Sequence, residues 1–170
     1  MKIRQEQPSD YGKVYELAKI SFATSPHCDG DEQDYLNDIR KGDSFIPELS
    51  LVAENNWGTI VGQVILHKAD ITDGHKSHTQ LVLGPICTHP DHFRRGIARA
   101  MVDEALDIAA QLGYRAVFLC GDPEIYSRLG FAPTYRYGIH HKKDATAEWS
   151  MVRELYDGAL DGITGIINTI

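Results

Sequence analysis

The stretch from Gly96 to Cys120 limits most strongly what this chain can fold into. Its first part carries apolar residues every three or four positions, the period of one face of an α-helix, and Gly113 follows as a stop signal. Shortly after it, residues 116–120 form a continuous apolar run of strand length, typical of a strand buried on both faces. A buried strand beside an amphipathic helix predicts an α/β chain with a mixed central sheet flanked by helices. The apolar helix positions are Ile97, Met101, Ala105, Ile108, Ala109 and Leu112.

Further helix and strand signals lie on both sides of this stretch. A cap signal at Pro8-Ser9-Asp10 precedes apolar residues at helical spacing that end at Phe22. Later, Gly121-Asp122-Pro123 starts a short helix that ends at Gly130, because Asp caps a helix and Pro suits its first turn. No repeat or linker interrupts the order, so we expect residues 1–170 to form a single domain. The predicted elements are a strand at 3–5, helices up to residue 22 and at 32–41, strands at 50–54, 59–71 and 80–88, the helix at 96–112, the strand at 116–120, the short helix after 121, and strands at 135–139 and 149–155.

Composition and charge argue against several classes of protein. A formal net charge of −7 disfavours a nucleic-acid binder, which usually carries a basic face. No apolar run approaches the roughly 20 residues of a membrane span, and the first residues lack the apolar core of a signal peptide. We therefore expect a cytosolic protein that binds neither membrane nor nucleic acid. The cysteines Cys28, Cys87 and Cys120 are widely spaced and form no C-x-x-C pair, which indicates reduced thiols and no metal site.

Residues 83–99, L-G-P-I-C-T-H-P-D-H-F-R-R-G-I-A-R, pass from a strand through a turn into the long helix. The first amides of a helix have no acceptor within it and together carry roughly half a positive charge. Gly96 leaves space where a phosphate would approach, and Arg94, Arg95 and Arg99 add positive charge. The turn therefore predicts an anion site, with an ordinary strand–helix turn and solvated arginines as the alternative.

Several motifs of this chain resemble those of the GNAT N-acetyltransferase superfamily, and they follow one another in the order that the family has. Its signature Q/R-x-x-G-x-G/A, which follows the fourth strand, is matched by Phe93-Arg94-Arg95-Gly96-Ile97-Ala98, with Phe93 in the place of Gln or Arg. Upstream, L-G-P-I-C-T-H-P is similar to the family's splayed fourth strand, and downstream I-Y-S-R-L-G-F (125–131) is similar to its F-Y-x-K-x-G-F segment. The run G-D-P-x-x-Y from Gly121 is similar to one bacterial branch of the family. The resemblance covers about residues 3–155 and implies the GNAT fold.

The resemblance also implies a reaction and the residues that serve it. A primary amine, in a small molecule or a peptide, would attack the thioester of the co-substrate acetyl-coenzyme A directly. The backbone of Ile86, Cys87 and Thr88 would pair with the pantetheine amides, and Tyr126 matches the family's general acid for the departing thiolate. A packing tyrosine is the alternative for Tyr126. The residues implied to hold the pyrophosphate are Arg94, Arg95, Gly96, Ile97, Ala98 and Arg99.

Some alternatives stay open at the level of sequence. A non-catalytic acyl-coenzyme A sensor could use the same pocket, whereas a toxin that acetylates charged tRNA is disfavoured by the net charge of −7. We expect Cys87 to be a small buried residue and not a nucleophile, because no His lies where it would obviously activate the thiol. Glu54 and His67 are candidates for the general base, beside a structural or solvent-facing role for each. The tail from Asp161 leaves a homodimer open.

Overall fold

The computed structural model describes residues 1–23 and 30–167, so Cys28 lies outside the described residues. The chain divides into two compact units, Met1–His67 with Gly84–Ile108, and Lys68–Leu83 with the residues from Ala109 onward. The helices are α1 (Tyr11–Phe22), α2 (Glu32–Lys41), α3 (Ile97–Gln111) and α4 (Pro123–Tyr126). The strands are β1 (Lys2–Gln5), β2 (Phe45–Glu54), β3 (Ile60–Thr72), β4 (Ser77–Thr88), β5 (Ala116–Cys120), β6 (Ala132–Pro133), β7 (Ile139–His141), β8 (Ser150–Glu154) and β9 (Gly165–Ile167).

In the first unit, β1, β2 and the start of β3 pair antiparallel, and helices cover both faces of this sheet. The register places Val52 of β2 opposite Gln63 of β3. Because successive residues of a strand point to opposite faces, Gly62 and Ile65 face opposite sides. Ile65 packs in a buried cluster with α1 and α2, whereas Gly62 faces α3. The buried residues of the cluster are Val14, Leu17, Ala18, Leu36, Ile39, Val52, Ile60, Ile65 and Cys87.

A buried ion pair ties α2 to the sheet of the first unit. Nη2 of Arg40 lies 2.5 Å from Oε1 of Glu6, and both side chains are almost fully buried. The hydroxyl of Ser50 on β2 donates to the same carboxylate at 2.6 Å, and the guanidinium of Arg40 lies 4.4 Å from the ring centroid of Tyr11 on α1. Because the carboxylate has several donors, its burial is compensated. The pair therefore sets the position of α2 relative to α1 and β2.

In the second unit, parallel and antiparallel pairs occur together. The first part of β4 pairs parallel with β5, with Leu81 opposite Val117. β8 pairs antiparallel with both β5 and β6, and β7 pairs parallel with β9. Four of the five residues of β5 are buried, as its continuous apolar run predicts. The predicted mixed sheet with helices is therefore confirmed.

The structure corrects one predicted strand and adds two others. Residues 135–139 were expected to be extended, but Thr134–Tyr137 form a 3₁₀ helix and the strand begins only at Ile139. The turn ends at Gly138, whose φ of 71° lies in the left-handed region that favours glycine. The two-residue β6 and the three-residue β9 are additional, since strands this short show no usable alternation.

Helix α3 follows the predicted apolar face with two differences. Val102 and Leu106 are also buried, whereas Leu112 is 45% exposed and lies beyond the last helical residue. Burial of the additional positions widens the apolar stripe, as expected for a helix packed against a sheet. None of the helices in the part of the chain that the structure describes combines the length and apolar character needed to cross a membrane.

Candidate functional site

The link between β4 and α3 is a compact turn held by its own backbone. The N–H of His89 donates to the carbonyl of Val61 at 2.9 Å, which fixes the end of β4 beside β3. Residues Pro90–His92 then form a 3₁₀ helix, whose first turn is capped by Nδ1 of His89 accepting from the N–H of Asp91 at 3.2 Å. The N–H of Phe93 closes the turn on the carbonyl of Pro90 at 3.1 Å. The chain therefore enters α3 from a defined direction.

Two residues before α3 adopt left-handed backbone conformations. Gly96 has a φ of 76°, and Arg94 has a φ of 59°. Within residues 1–23 and 30–167, Arg94 is the one residue other than glycine at positive φ. A non-glycine residue in this region is uncommon and points to a local constraint. Left-handed and right-handed residues in succession also turn neighbouring N–H groups toward one side, which is the geometry of backbone anion sites.

The space beside Gly96 is open, and the start of α3 is held against β3 by a buried side chain. A Cβ built on Gly96 meets no atom within 4 Å. The first helical bond runs from the N–H of Ala100 to the carbonyl of Gly96 at 3.0 Å, so the preceding amides have no acceptor within the helix. Ile97 is buried and reaches β3, where its Cγ2 lies 3.0 Å from a Cβ built on Gly62. Gly62 thus allows the helix start to approach the strand closely.

The remaining predicted pyrophosphate residues lie at the surface of this turn. Arg94, Arg95, Ala98 and Arg99 are all exposed, so their side chains contact solvent. Three arginines and the positive end of α3 therefore make one region of the first unit electrostatically positive. This arrangement fits an anion such as a pyrophosphate, because charge, open space and backbone donors coincide.

We expect the left-handed backbone at Arg94 to cost stability that glycine would recover. Arg94→Gly should unfold at higher denaturant concentration than Arg94→Ala, by about 1 kcal/mol, because glycine adopts this conformation without steric cost. Both variants lose the same charge, so both should weaken acetyl-coenzyme A binding by the same factor, about fivefold for an exposed contact. Chemical denaturation and calorimetric titration of the two variants would check this. Equal stability of the two variants would contradict the strain.

Toward the end of β4, the residues become more buried. Gly84, Pro85 and Ile86 are half-buried, whereas Cys87 and Thr88 are buried. The carbonyl of Thr88 accepts from the hydroxyl of Ser21 at 3.0 Å. Because the side chains of Cys87 and Thr88 point into the protein, they could serve a ligand only through their backbone.

Burial makes Cys87 a poor nucleophile. It raises the pKa of the Cys87 thiol to about 12, although the hydroxyl of Ser21 and the backbone of Gln63 form hydrogen bonds with it. A thiol with such a pKa is almost entirely protonated near neutral pH, and the thiol form does not attack acyl groups. The structure therefore agrees with a packing role for Cys87.

Native alkylation should distinguish Cys87 from Cys120. Cys87 is 5% exposed, whereas Cys120 is exposed. We expect iodoacetamide at pH 8 to modify Cys120 and to leave Cys87 unmodified until the protein is unfolded in guanidinium chloride, with peptide mapping by mass spectrometry as the measurement. Cys120 is the internal control. Native modification of both thiols at similar rates would show that Cys87 is accessible.

Tyr126 lies in the second unit, at the last residue of α4. The side chain of Asp122 caps this helix by accepting from the N–H of Glu124 at 2.8 Å, as its sequence predicts. Burial raises the pKa of Tyr126. Its phenol therefore keeps its proton throughout the neutral range and can act as a proton donor.

The two candidates for a general base have partners in the first unit. Oε1 of Glu54 accepts from Nη2 of Arg4 at 2.6 Å, within a cluster that also contains Asp10. Nε2 of His67 lies 3.3 Å from the hydroxyl of Tyr35, and the histidine is 9% exposed. The ion pair gives Glu54 a structural role. His67 keeps both interpretations, since a tyrosine partner can orient an imidazole as well as fill space.

Two glycines at points of close packing were not singled out from the sequence. Gly62 lies within a strand rich in branched residues, where an isolated glycine signals a close approach of another element. Gly121 was recognised only as part of a helix start and of the G-D-P-x-x-Y run. A cavity of about 560 Å³ beside α1, near Ile20, Thr59 and His89, is not lined by the predicted site residues. Among the described residues, no group of three or more His, Cys, Asp and Glu side chains could hold a metal ion.

Comparison with known protein families identifies the chain. A family model described as the acetyltransferase (GNAT) domain matches residues 2–134. The chain belongs to the GNAT acetyltransferase family. It is 30% identical to YhbS of Escherichia coli K12, which is described as an uncharacterized N-acetyltransferase, over 98% of this chain and 95% of that protein.

Solved GNAT structures agree in fold over nearly the whole chain. The crystal structure of E. coli YhbS in complex with CoA superposes with a TM-score of 0.87 at 28% identity, covering 99% of this chain and 89% of that one. A GNAT acetyltransferase from Brucella melitensis, solved in complex with acetyl-CoA, gives a TM-score of 0.78 at 22% identity, covering 99% and 95%. The comparisons confirm the predicted GNAT fold and enzyme class. The chain is an acyl-coenzyme A-dependent N-acetyltransferase, and an enzyme of this kind requires an amine acceptor.

Proposed function

We propose that this GNAT enzyme transfers an acetyl group from acetyl-coenzyme A to a primary amine by direct attack. The observation that carries the proposal is the turn before α3, where Arg94 and Gly96 have left-handed backbones and the space beside Gly96 is open. A relative of the same family, YhbS, has been solved with CoA, which supports the same ligand here. When bound, acetyl-coenzyme A supplies an activated acetyl thioester.

We assign the pyrophosphate to the turn and to the first amides of α3. Gly96 and Ala98 leave room for the phosphates, and the N–H groups of Ile97, Ala98 and Arg99 belong to the helix start, where donors lack acceptors within the helix. Arg94, Arg95 and Arg99 neutralise charge from the surface. Only the backbone of Ile97 takes part, because its buried side chain anchors the helix.

The pantetheine arm is assigned to the backbone of Ile86, Cys87 and Thr88. An arm with two amides can pair with an extended strand as a neighbouring strand would. The raised pKa of Cys87 argues against an acetyl-cysteine intermediate, which supports direct attack by the amine. Tyr126 is proposed to donate its phenolic proton to the departing sulfur, since the phenol, whose pKa is raised by burial, is protonated at neutral pH.

We also propose an acceptor class, a compartment and an assembly state for the enzyme. The acceptor is a small-molecule or peptide amine, because a net charge of −7 disfavours nucleic acid. The widely spaced cysteines suit the reducing cytosol. Residues 1–170 are proposed to act as a single acetyltransferase domain, and a homodimer is one state in which it could work.

Release of coenzyme A in the presence of amines tests the proposal. The protein would be incubated with acetyl-coenzyme A and a panel of antibiotics, polyamines, amino acids and short peptides, and acetylated products would be measured by mass spectrometry. Free thiol would be measured in parallel, with an enzyme blank because Cys120 is exposed. Amine-dependent release together with product supports the enzyme. Tight calorimetric binding of acetyl-coenzyme A without product from any amine would support a sensor.

A further inference from the structure

Gly121, between β5 and α4, is a glycine for a reason other than its backbone. It is not among the glycines with positive φ, so its φ angle does not call for glycine. Its N–H donates to the carbonyl of Trp149 at 2.9 Å, which alanine could do equally well. A Cβ built on Gly121, however, lies 2.3 Å from Cε2 and 2.7 Å from Cδ2 of Tyr126. The ring of Tyr126 therefore occupies the space that a side chain at position 121 would need.

The ring of Tyr126 is supported on a second side by Phe131. The two ring centroids are 6.0 Å apart and the planes meet at 78°, an edge-to-face contact. Phe131 is only 3% exposed, so its ring is held in place by the residues packed around it. The backbone between them is also fixed, because the N–H of Phe131 donates to the carbonyl of Tyr126 at 3.1 Å.

Helix α4 fixes the point from which the ring extends. The N–H of Tyr126 donates to the carbonyl of Asp122 at 3.0 Å, and the side chain of Asp122 caps the first turn. With the backbone held in this way, the ring can adjust mainly by rotating about its own side-chain bonds. Its position is then set by Gly121 on one side and Phe131 on the other.

We propose that Gly121 is a positioning residue, which keeps the Tyr126 hydroxyl in place for proton transfer. This inference rests on the proposed role of Tyr126 as the general acid. As the carbon–sulfur bond breaks, sulfur takes the bonding electron pair and the phenolic proton, and the phenolate regains the proton that the amine nitrogen loses. A side chain at 121 would push the ring outward on the order of 1 Å, since carbon atoms pack at about 3.5–4.0 Å. A displacement of that size at a reacting group can cost about 10²-fold in rate.

A double-mutant cycle separates this role from ordinary packing. We expect Gly121→Ala to lower kcat about 10- to 100-fold, with little change in KM for acetyl-coenzyme A. In the Tyr126→Phe background, Gly121→Ala should change kcat less than twofold, because no hydroxyl remains to be displaced. The loss of thermal stability caused by Gly121→Ala should be the same in both backgrounds, since Phe presents the same ring. Gly42→Ala is a matched control, because Gly42 has a φ of −89° and its built Cβ meets no atom closer than 3.5 Å.

The outcomes distinguish the two proposals. Full turnover of Tyr126→Phe would overturn the acid role and the positioning role with it. If Tyr126→Phe lowers kcat as expected, two results would overturn the positioning role alone. One is an equal loss of kcat from Gly121→Ala in both backgrounds, and the other is an unchanged kcat of Gly121→Ala. Should Gly121→Ala fail to fold, Phe131→Leu loosens the same ring from its other side. The same dependence on the Tyr126 hydroxyl is then expected, and its absence would count against a held ring.

Discussion

Replacing Tyr126 by Phe should lower kcat by about 10²- to 10⁴-fold, the usual contribution of a general acid. The ring is retained, so its contacts with Gly121 and Phe131 persist and only the proton donor is lost. Binding of acetyl-coenzyme A should barely change, because the hydroxyl acts most strongly when charge builds on sulfur. Steady-state kinetics and calorimetric titration of the same preparation would measure both quantities.

The pH dependence of turnover is a second test of the role of Tyr126. Burial raises the pKa of the phenol above its ordinary value of about 10. The acid is present below the raised pKa and is lost as pH rises through it. Any decline of wild-type turnover caused by this group should therefore begin above the ordinary tyrosine range and be absent from Tyr126→Phe.

An exposed tyrosine provides the control for this variant. Tyr156 is 54% exposed and lies outside the proposed site, so Tyr156→Phe should keep wild-type turnover. A Tyr126→Phe enzyme with full turnover would show that the thiolate leaves unaided or is protonated by another group. Weakened acetyl-coenzyme A binding with unchanged turnover would make Tyr126 an anchor for the co-substrate.

Gly96→Ala should weaken acetyl-coenzyme A binding about 10- to 100-fold, the value of one charge-assisted hydrogen bond to a phosphate. The new methyl group would project into the open space beside the turn, where it would hold the pyrophosphate away from the backbone donors. Because Gly96 has a φ of 76°, the substitution also costs stability, about 1–2 kcal/mol. A branched residue such as Val would add more strain, so alanine is the sharper probe.

Gly113 supplies a matched control for the strain at Gly96. It follows α3, has a φ of 86°, and its built Cβ also meets no atom within 4 Å. Gly113→Ala should therefore lose about the same stability, 1–2 kcal/mol, with unchanged affinity for acetyl-coenzyme A. Calorimetric titration and chemical denaturation of both variants separate the two effects. Equal affinities of the two alanine variants would remove the pyrophosphate from this turn.

Much of the fold could be predicted because its central elements carry strong local patterns. The bounds of α2 and β5 are those read from the sequence, and α3 differs by one residue at each end. Predictions failed where a segment was short or its pattern ambiguous. The aromatic-rich run 135–139 resembles a strand, yet it folds mainly as a 3₁₀ helix that ends at the left-handed Gly138. β2 begins at Phe45, five residues before its predicted start, because Phe45 pairs with His67 of β3 across a shift in register that the sequence does not mark.

By itself, the sequence determined the amphipathic α3, the buried β5 and the membership of the GNAT family, and it predicted an anion site at the turn between β4 and α3. These properties depend on the spacing and charge of neighbouring residues, which are visible along the chain. Only the tertiary structure decided the left-handed backbone of Arg94, the close approach of α3 to Gly62, and the contact of Gly121 with the ring of Tyr126. Each of these depends on backbone angles and side-chain directions, which are set by packing in three dimensions and leave no periodic trace in the sequence.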